Sequence, residues 1–239
     1  MKTILERAFG KTARGVMVAV NPIKKAVIKT HCITHKYINN KSLELLKTQG
    51  YIHEYRYFKN YINDINAGVT WADQDLKSIN HFYHVDERKG IYGFSNALEE
   101  CKKYYKLSLR YLKIGDVHKS MFFFGAACHL IQDTTVPHHV NNRLLKKHRD
   151  FELWIIKQIL LGYNFETDKD IKRYRSVEEY IQTNAIMANR IYFRYNYMKN
   201  KEEKYMKVAP IIIEEAQITT AGFMLDYYDK IKNTISLFE

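Results

Sequence analysis

Apolar residues recur at helical spacing along almost the whole chain, and this pattern constrains the fold more than any other feature. Only three prolines and ten glycines are present, and no long polar linker interrupts the pattern. Because a period of about 3.6 residues places apolar side chains on one helix face, the pattern predicts an all-α protein. A length of 239 residues suits one substantial core better than two full domains. We therefore expect a single compact domain of roughly seven or eight helices.

Turn and capping residues divide this pattern into separate helices. The predicted helices run from Thr34 to Lys47, from Tyr51 to about Ile65 with the end near Gly68, from Ser95 to about Ile114, from about Met121 to before Pro137, from Arg143 to about Leu161, from Ser176 to about Lys199, and from near Pro210 toward Asn233. Residues 71–90 are polar and turn-prone, which indicates a loop that carries Asp73 and His81. Gly125, inside an apolar helix, predicts a close helix crossing.

Residues 125–152, GAACHLIQDTTVPHHVNNRLLKKHRDFE, concentrate side chains that bind metals. His129 and Asp133 are four residues apart, and so are His148 and Glu152. In a helix such pairs share one face, with Cβ atoms roughly 5–6 Å apart. Zinc binds nitrogen and oxygen donors at about 2.0–2.2 Å, so each pair is suited to half of a zinc site.

Burial favours metal binding over ordinary core histidines. His129 and Asp133 lie on the most apolar predicted helix, with His139 shortly after it, and burying these groups without a metal would cost several kcal/mol. Asp133 is able to bridge two ions, because a carboxylate has two oxygens. Paired metals some 3.5–4 Å apart suit phosphoester hydrolysis. Asp73 is the candidate base that activates water, with Asp75 the less favoured neighbour.

The order of these motifs resembles the bacterial zinc-dependent phospholipase C family, the group that contains the phosphatidylcholine-preferring enzyme of bacilli and the catalytic domain of clostridial alpha-toxin. The resemblance covers roughly residues 30–232 and is carried by HKYINNKSLELL, NAGVTWAD, NHFYHVD, FFFGAACHLIQDTTVPHHVN, HRDFE and AQITTAGFMLDYYD. It implies the all-α fold of the phospholipase C/P1 nuclease type. Residues 31–239 would form the catalytic domain, preceded by a basic extension of residues 1–30.

Carried over by position, the resemblance implies up to three zinc sites and a general base. The implied ligands are His81, His129 and Asp133 for the first ion, His139, His148 and Glu152 for the second, and His35 with the bridging Asp133 for the third. Asp73, in the WAD triplet, corresponds to the family's general base. Glu152 matches the phospholipases, whereas the related P1/S1 nucleases have Asp there.

Members of the family complete the third site with an N-terminal tryptophan. The two tryptophans of this chain, Trp71 and Trp154, both follow His35, so neither fits that role. His31 lies four residues before His35 and is the candidate replacement ligand. A surface histidine or a second-layer contact is the alternative interpretation of His31.

The resemblance implies zinc-dependent hydrolysis of phosphodiesters, most directly the phospholipase C reaction that releases diacylglycerol and a phosphorylated head group. Gln74 and Ser78 replace the aromatic residues that enclose choline in the bacillus enzyme, so the sequence leaves the head group open. The alternatives are a P1/S1-like single-strand nuclease and a catalytically silent, zinc-stabilised protein that binds a membrane or a partner. Asp73 favours an enzyme, because a structural site has little need of a general base.

The formal charge of +12 favours anionic partners, although a solvated lysine-rich exterior explains it equally well. We expect a phospholipid substrate and peripheral contact with anionic membranes, with nucleic acid a weaker alternative and no stable protein partner. Residues 1–30 fit either a packed helix or a membrane-surface segment. Three cysteines without a CxxC motif, no signal-peptide core and no membrane-spanning apolar run predict a cytoplasmic location.

Overall fold

The computed structural model describes residues 32–74, 81–85, 90, 95–140 and 146–235. These residues form helices joined by turns and contain no β-strand, which confirms the all-α prediction. The helices are α1 Ile33–Thr48, α2 Ile52–Asn60, α3 Ile62–Ala72, α4 Ala97–Lys113, α5 Val117–Asp133, α6 Pro137–Val140, α7 Lys146–Leu160, α8 Val177–Tyr195 and α9 Lys201–Ile235. Residues 1–30 lie outside the described residues, so the division into an extension and a catalytic domain stays a prediction.

Helix α5 lies at the centre of the fold and packs most extensively against α3 and α4. Helix α5 crosses α3 closely because each helix has a glycine that faces the backbone of the other. A Cβ atom on Gly125 would overlap the carbonyl group of Ile65, and one on Gly68 would overlap that of Phe122. The close crossing predicted from Gly125 is therefore confirmed.

Stacked aromatic rings fill the core around α5. The ring of Phe124 stacks on Phe58, Phe223 and Tyr227, with centroid distances of 5.8, 5.1 and 4.3 Å. The hydroxyl of Tyr227 is also buried, and it lies 2.7 Å from the Ser120 hydroxyl. A buried hydroxyl with such a partner avoids the cost of an unsatisfied polar group. This packing fixes the position of α5, whose C-terminal end carries the metal-binding side chains.

Side-chain caps begin several of the described helices, and two of these caps bear on the sequence predictions. Asn96 accepts a hydrogen bond from the backbone N–H of Glu99 at 3.0 Å. The N-cap of α4 is therefore Asn96, one residue after the predicted Ser95. Ser176 accepts from the backbone N–H of Glu179 at 3.2 Å, as its sequence predicts. Such caps satisfy N–H groups that have no partner within the helix.

Two predicted helix bounds are wrong. The region after Tyr51 forms two helices that meet at Tyr61, and α3 continues through Gly68 to Ala72. Gly68 does not end α3, because its missing Cβ allows the approach of α5. Helix α9 begins at Lys201, so Pro210 lies in its interior rather than near its start. The loss of one backbone hydrogen bond at a proline is tolerated there, since the following turns of α9 are buried.

The Lys201–Asn233 part of α9 is long and apolar enough to cross a membrane by length and composition alone. In this fold, 83% of its apolar window is buried inside the protein. Core helices commonly meet the same length and composition criteria, so the burial of α9 accounts for its apolar character.

Candidate metal centre

Asp133, the last residue of α5, faces four imidazole rings. Its Oδ2 atom lies 2.9 Å from Nδ1 of His81 and 3.0 Å from Nε2 of His129. Its Oδ1 atom lies 3.4 Å from Nε2 of His35 and 3.8 Å from Nε2 of His139. His35 lies on α1, and His81 lies in the segment before α4. His129 lies on α5, and His139 lies on α6. The fold therefore gathers distant parts of the chain around one carboxylate.

The cluster is buried and retains unused nitrogen atoms. His81, His129 and His139 are at most 5% exposed. Nε2 of His81, Nδ1 of His129 and both ring nitrogens of His139 have no hydrogen-bond partner. Buried polar atoms without partners are rare, and such an atom often marks an ion-binding position. The donor set of imidazole nitrogens and carboxylate oxygens fits zinc.

A second group of donors adjoins the first through His139. The ligand atoms of His139, His148 and Glu152 lie within 4.8 Å of one another. His148 and Glu152 are one turn apart on α7, with Nε2 and Oε1 separated by 3.1 Å. The rings of His139 and His148 meet edge to face at a centroid distance of 4.4 Å. The structure thus gathers the three side chains that were assigned to the second ion.

Burial and charge set the protonation states of this centre. Burial raises the pKa of Asp133, but the surrounding histidines outweigh it and hold the pKa well below its usual range. Burial lowers the pKa of His129 and takes that of His139 well below its usual value. Burial also opposes the charged form of His148, but its hydrogen bond to the Glu152 carboxylate outweighs burial and raises the pKa of His148. The ionised form of Asp133 and the neutral forms of His129 and His139 are the forms that bind a cation.

Asp73 lies at the exposed edge of the cluster, directly after α3. One of its carboxylate oxygens lies within 4.8 Å of ring nitrogens of His81 and His129. Its Oδ2 atom accepts a hydrogen bond from the thiol of Cys32 at 3.2 Å. This position leaves the carboxylate open to solvent while it faces the buried donors.

A family model for zinc-dependent phospholipase C matches residues 34–207. The chain belongs to the zinc-dependent phospholipase C family. Two solved structures are similar over 84% of this chain: the alpha toxin of Clostridium absonum, with a TM-score of 0.69 and 17% identity, and the alpha-toxin of an avian strain of Clostridium perfringens, with 0.64 and 16%. The match covers 63% of each toxin chain, so this chain spans slightly less than two thirds of their length. Comparison with curated proteins gave no match.

The similarity to the toxins shows the fold, and the family gives the zinc dependence of the centre. The structure brings together all seven side chains that sequence reasoning assigned to zinc in this family: His35, His81, His129, Asp133, His139, His148 and Glu152. Their roles as ligands stay predictions. The further candidates His31 and Asp75 lie outside the described residues, as does Ser78, which replaces an aromatic residue of the bacillus enzyme.

Gln132 holds His35 in place, a role that sequence reasoning missed. Nδ1 of His35 lies 2.8 Å from Oε1 of Gln132. The Gln132 amide donates to Asn39 at 2.8 Å and to Thr220 at 3.2 Å, so its oxygen accepts the Nδ1 proton of His35. The Nε2 lone pair of His35 is thereby directed to the side of Asp133, which is the tautomer that a metal ligand needs.

Proposed function

We propose that this protein is a zinc-dependent phospholipase C that hydrolyses phospholipids to diacylglycerol and a phosphorylated head group. The observation that supports this proposal most strongly is the convergence of buried imidazoles on Asp133, with the Asp73 carboxylate at the exposed edge. Family membership supports the same reaction. Glu152 matches the phospholipases of the family rather than the P1/S1 nucleases, which makes nucleic acid the less favoured substrate.

The proposed centre holds two to three zinc ions. The proposed ligands are His81, His129 and Asp133 for the first, His139, His148 and Glu152 for the second, and His35 with Asp133 for a third. When bound, zinc supplies positive charge that neutralises phosphate oxygens and stabilises the leaving oxygen. The low pKa of Asp133 keeps it ionised, and the low pKa values of His129 and His139 keep both neutral, so the donors are ready near neutral pH.

Asp73 is the proposed general base. Its exposed carboxylate accepts a proton from the attacking water as the water oxygen bonds to phosphorus. The bond between phosphorus and the glycerol oxygen then breaks, and that oxygen leaves with a proton as part of diacylglycerol. The buried imidazoles around Asp133 exclude bulk water from the opposite side of the centre.

An open surface pocket of about 540 Å³, lined by sequence neighbours of His35 and Asp73, is the proposed site of the head group. Its lining includes Lys36, which follows His35, and Gln74, which follows Asp73, together with several amide and hydroxyl side chains. Trp71 is the only aromatic residue among the described lining residues, and one ring does not form an aromatic cage. We propose an anionic or hydroxylated head group rather than choline, and peripheral contact of the basic protein with anionic membranes.

The test is the release of diacylglycerol from micelles that mix anionic and zwitterionic phospholipids. The zinc-loaded protein should release it, with preference for the anionic lipid, and Asp73→Asn should abolish release without unfolding the protein. Asp64→Asn is the matched control, because Asp64 lies on the same helix but pairs with the exposed His118. Equal release by wild-type protein and Asp73→Asn, or no release by zinc-loaded protein, would contradict the proposal.

A further inference from the structure

Cys32 places a buried thiol beside the metal centre. Its side chain is 5% exposed, and its Sγ atom donates to Oδ2 of Asp73 at 3.2 Å. The sulfur also lies within 4.8 Å of a ring nitrogen of His35 and one of His129. The thiol therefore faces donors from three helices rather than the apolar core.

The backbone conformation of Cys32 is also unusual. Its φ and ψ angles of 51° and 36° lie in the left-handed region, and no other described non-glycine residue has a positive φ. Such conformations are uncommon for residues with a Cβ atom and tend to occur at functional sites. The Cys32 carbonyl still accepts from the N–H of Lys36 at 3.0 Å and begins α1. The turn therefore joins the start of α1 to the metal centre.

The other two cysteines provide a contrast. Cys101 and Cys128 are fully buried and belong to the apolar core cluster. The thiols of Cys32 and Cys101 each lie 3.5 Å from a backbone carbonyl, but neither Cys101 nor Cys128 belongs to a candidate metal group among the described residues. Cys32 is thus the described cysteine whose sulfur adjoins carboxylates and imidazoles.

The carboxylates near Cys32 provide negative charge that favours a bound cation. Two carboxylates, Asp73 and Asp133, approach the same imidazoles, those of His81 and His129. His129 belongs to the same candidate metal group as Cys32 and His35, and its buried Nδ1 atom has no hydrogen-bond partner. Sulfur, nitrogen and oxygen donors together are typical of zinc.

We propose that the thiolate of Cys32 is a ligand of the third zinc ion, together with Nε2 of His35 and Oδ1 of Asp133. The S–H bond of Cys32 breaks as the sulfur binds the ion, and the proton passes to solvent. The proposal rests on the zinc centre of the proposed function and assigns to Cys32 the role that the sequence pattern assigned to His31. The ligand set needs no tryptophan at the N-terminus.

Cobalt substitution tests this ligand without measuring activity. The cobalt-loaded wild-type protein should show sulfur-to-cobalt charge-transfer absorption in the near ultraviolet, because only Cys32 places sulfur beside the described donors. Cys32→Ala should lose this absorption and about one equivalent of metal per chain. Cys101→Ala is the matched control and should keep both. Absence of the band from wild-type protein would overturn the proposal even if Cys32→Ala did not fold.

Two further comparisons separate this proposal from its alternatives. Loss of one metal equivalent in His31→Ala, with none lost in Cys32→Ala, would return the role to His31 and overturn the assignment to Cys32. Diacylglycerol release by the zinc-loaded wild-type protein distinguishes the two proposals. Release of diacylglycerol without the sulfur-to-cobalt band would contradict the Cys32 ligand but not the phospholipase function. The band without release would support the Cys32 ligand and contradict the phospholipase function.

Discussion

At the scale of single residues, the centre depends on Asp133 and on the side chains that orient its neighbours. The two His-x3-acid pairs were predictable, because spacing of four residues is a local property of a helix. The contact between His35 and Gln132 was not, because it joins residues 97 positions apart. Cys32 was missed for the same reason, since its partner Asp73 is 41 positions away. Local pattern identifies donors, whereas the fold decides which of them meet.

Gln132→Met removes the oxygen that accepts the Nδ1 proton of His35. We expect zinc affinity at the third site to fall about 10–100-fold, because residues that orient metal ligands typically contribute this much. Competition with a chromogenic chelator measures the change. Gln217→Met is the matched control, since Gln217 is equally buried and donates at 2.6 Å to the carbonyl of Phe165, which belongs to no candidate metal group. Equal affinity loss in both variants would contradict the orienting role.

At the scale of elements, the crossing of α3 and α5 sets the distance between Asp73 and His129. The sequence predicted a close crossing at Gly125, but it also interpreted Gly68 as the end of a helix. That interpretation was wrong because a glycine has two structural uses, termination and close approach, and only the packing distinguishes them. Here Gly68 and Gly125 face each other's helix backbone, so both glycines are needed for the approach.

Gly125→Ala tests this crossing. We expect the free energy of unfolding to fall by about 1–3 kcal/mol, because the added methyl group overlaps the Ile65 carbonyl. In an uncrowded helix interior the same substitution would raise stability by up to about 1 kcal/mol. Urea unfolding measures the free energy of unfolding, and the sign of its change shows whether position 125 is crowded. A more stable variant would show that α3 and α5 do not approach closely.

The segment before α8 is held to α9 by Arg173, which donates to Asp226 and Asp229, each at 2.6 Å. The hydrogen bond from Arg173 lowers the pKa of Asp229 below its usual 3.8. The pair therefore stabilises the fold above that value, and the stabilisation is lost as the pH falls through the lowered pKa.

Asp229→Asn should lower the free energy of unfolding near neutral pH by about 0.2–1 kcal/mol, as is usual for partly exposed pairs. The difference from wild-type protein should disappear in acid, below the lowered pKa. Urea unfolding across this pH range measures it. A difference that stays constant down to low pH would mean that the charge of Asp229 does not contribute.

At the scale of the whole molecule, the net charge of +12 supports the proposed contact with anionic membranes. A basic protein accumulates at anionic surfaces, which would bring the centre to its proposed substrate. The fold class was predictable, because the helical period extends over almost the whole chain. The cytoplasmic location and the role of residues 1–30 stay predictions, since neither follows from the packing of the described helices.

Vesicle binding tests the role of charge. We expect the protein to bind vesicles of phosphatidylglycerol and phosphatidylcholine more tightly than vesicles of phosphatidylcholine alone. The difference should largely disappear between about 0.1 M and about 1 M salt, because the Debye length falls from about 10 Å to about 3 Å. Co-sedimentation measures the bound fraction. Binding that is insensitive to salt would show that net charge does not bring the protein to membranes.

The most direct measurement is hydrolysis of an anionic phospholipid in ¹⁸O-labelled water, by protein stripped of metal with a chelator and by the same protein reloaded with zinc. The stripped protein should be inactive, and the reloaded protein should place the label in the phosphorylated head group and release unlabelled diacylglycerol. That result would follow from attack of water on phosphorus with the glycerol oxygen as the leaving group. Phosphatidate as the product, or equal hydrolysis without zinc, would contradict a zinc-dependent phospholipase C.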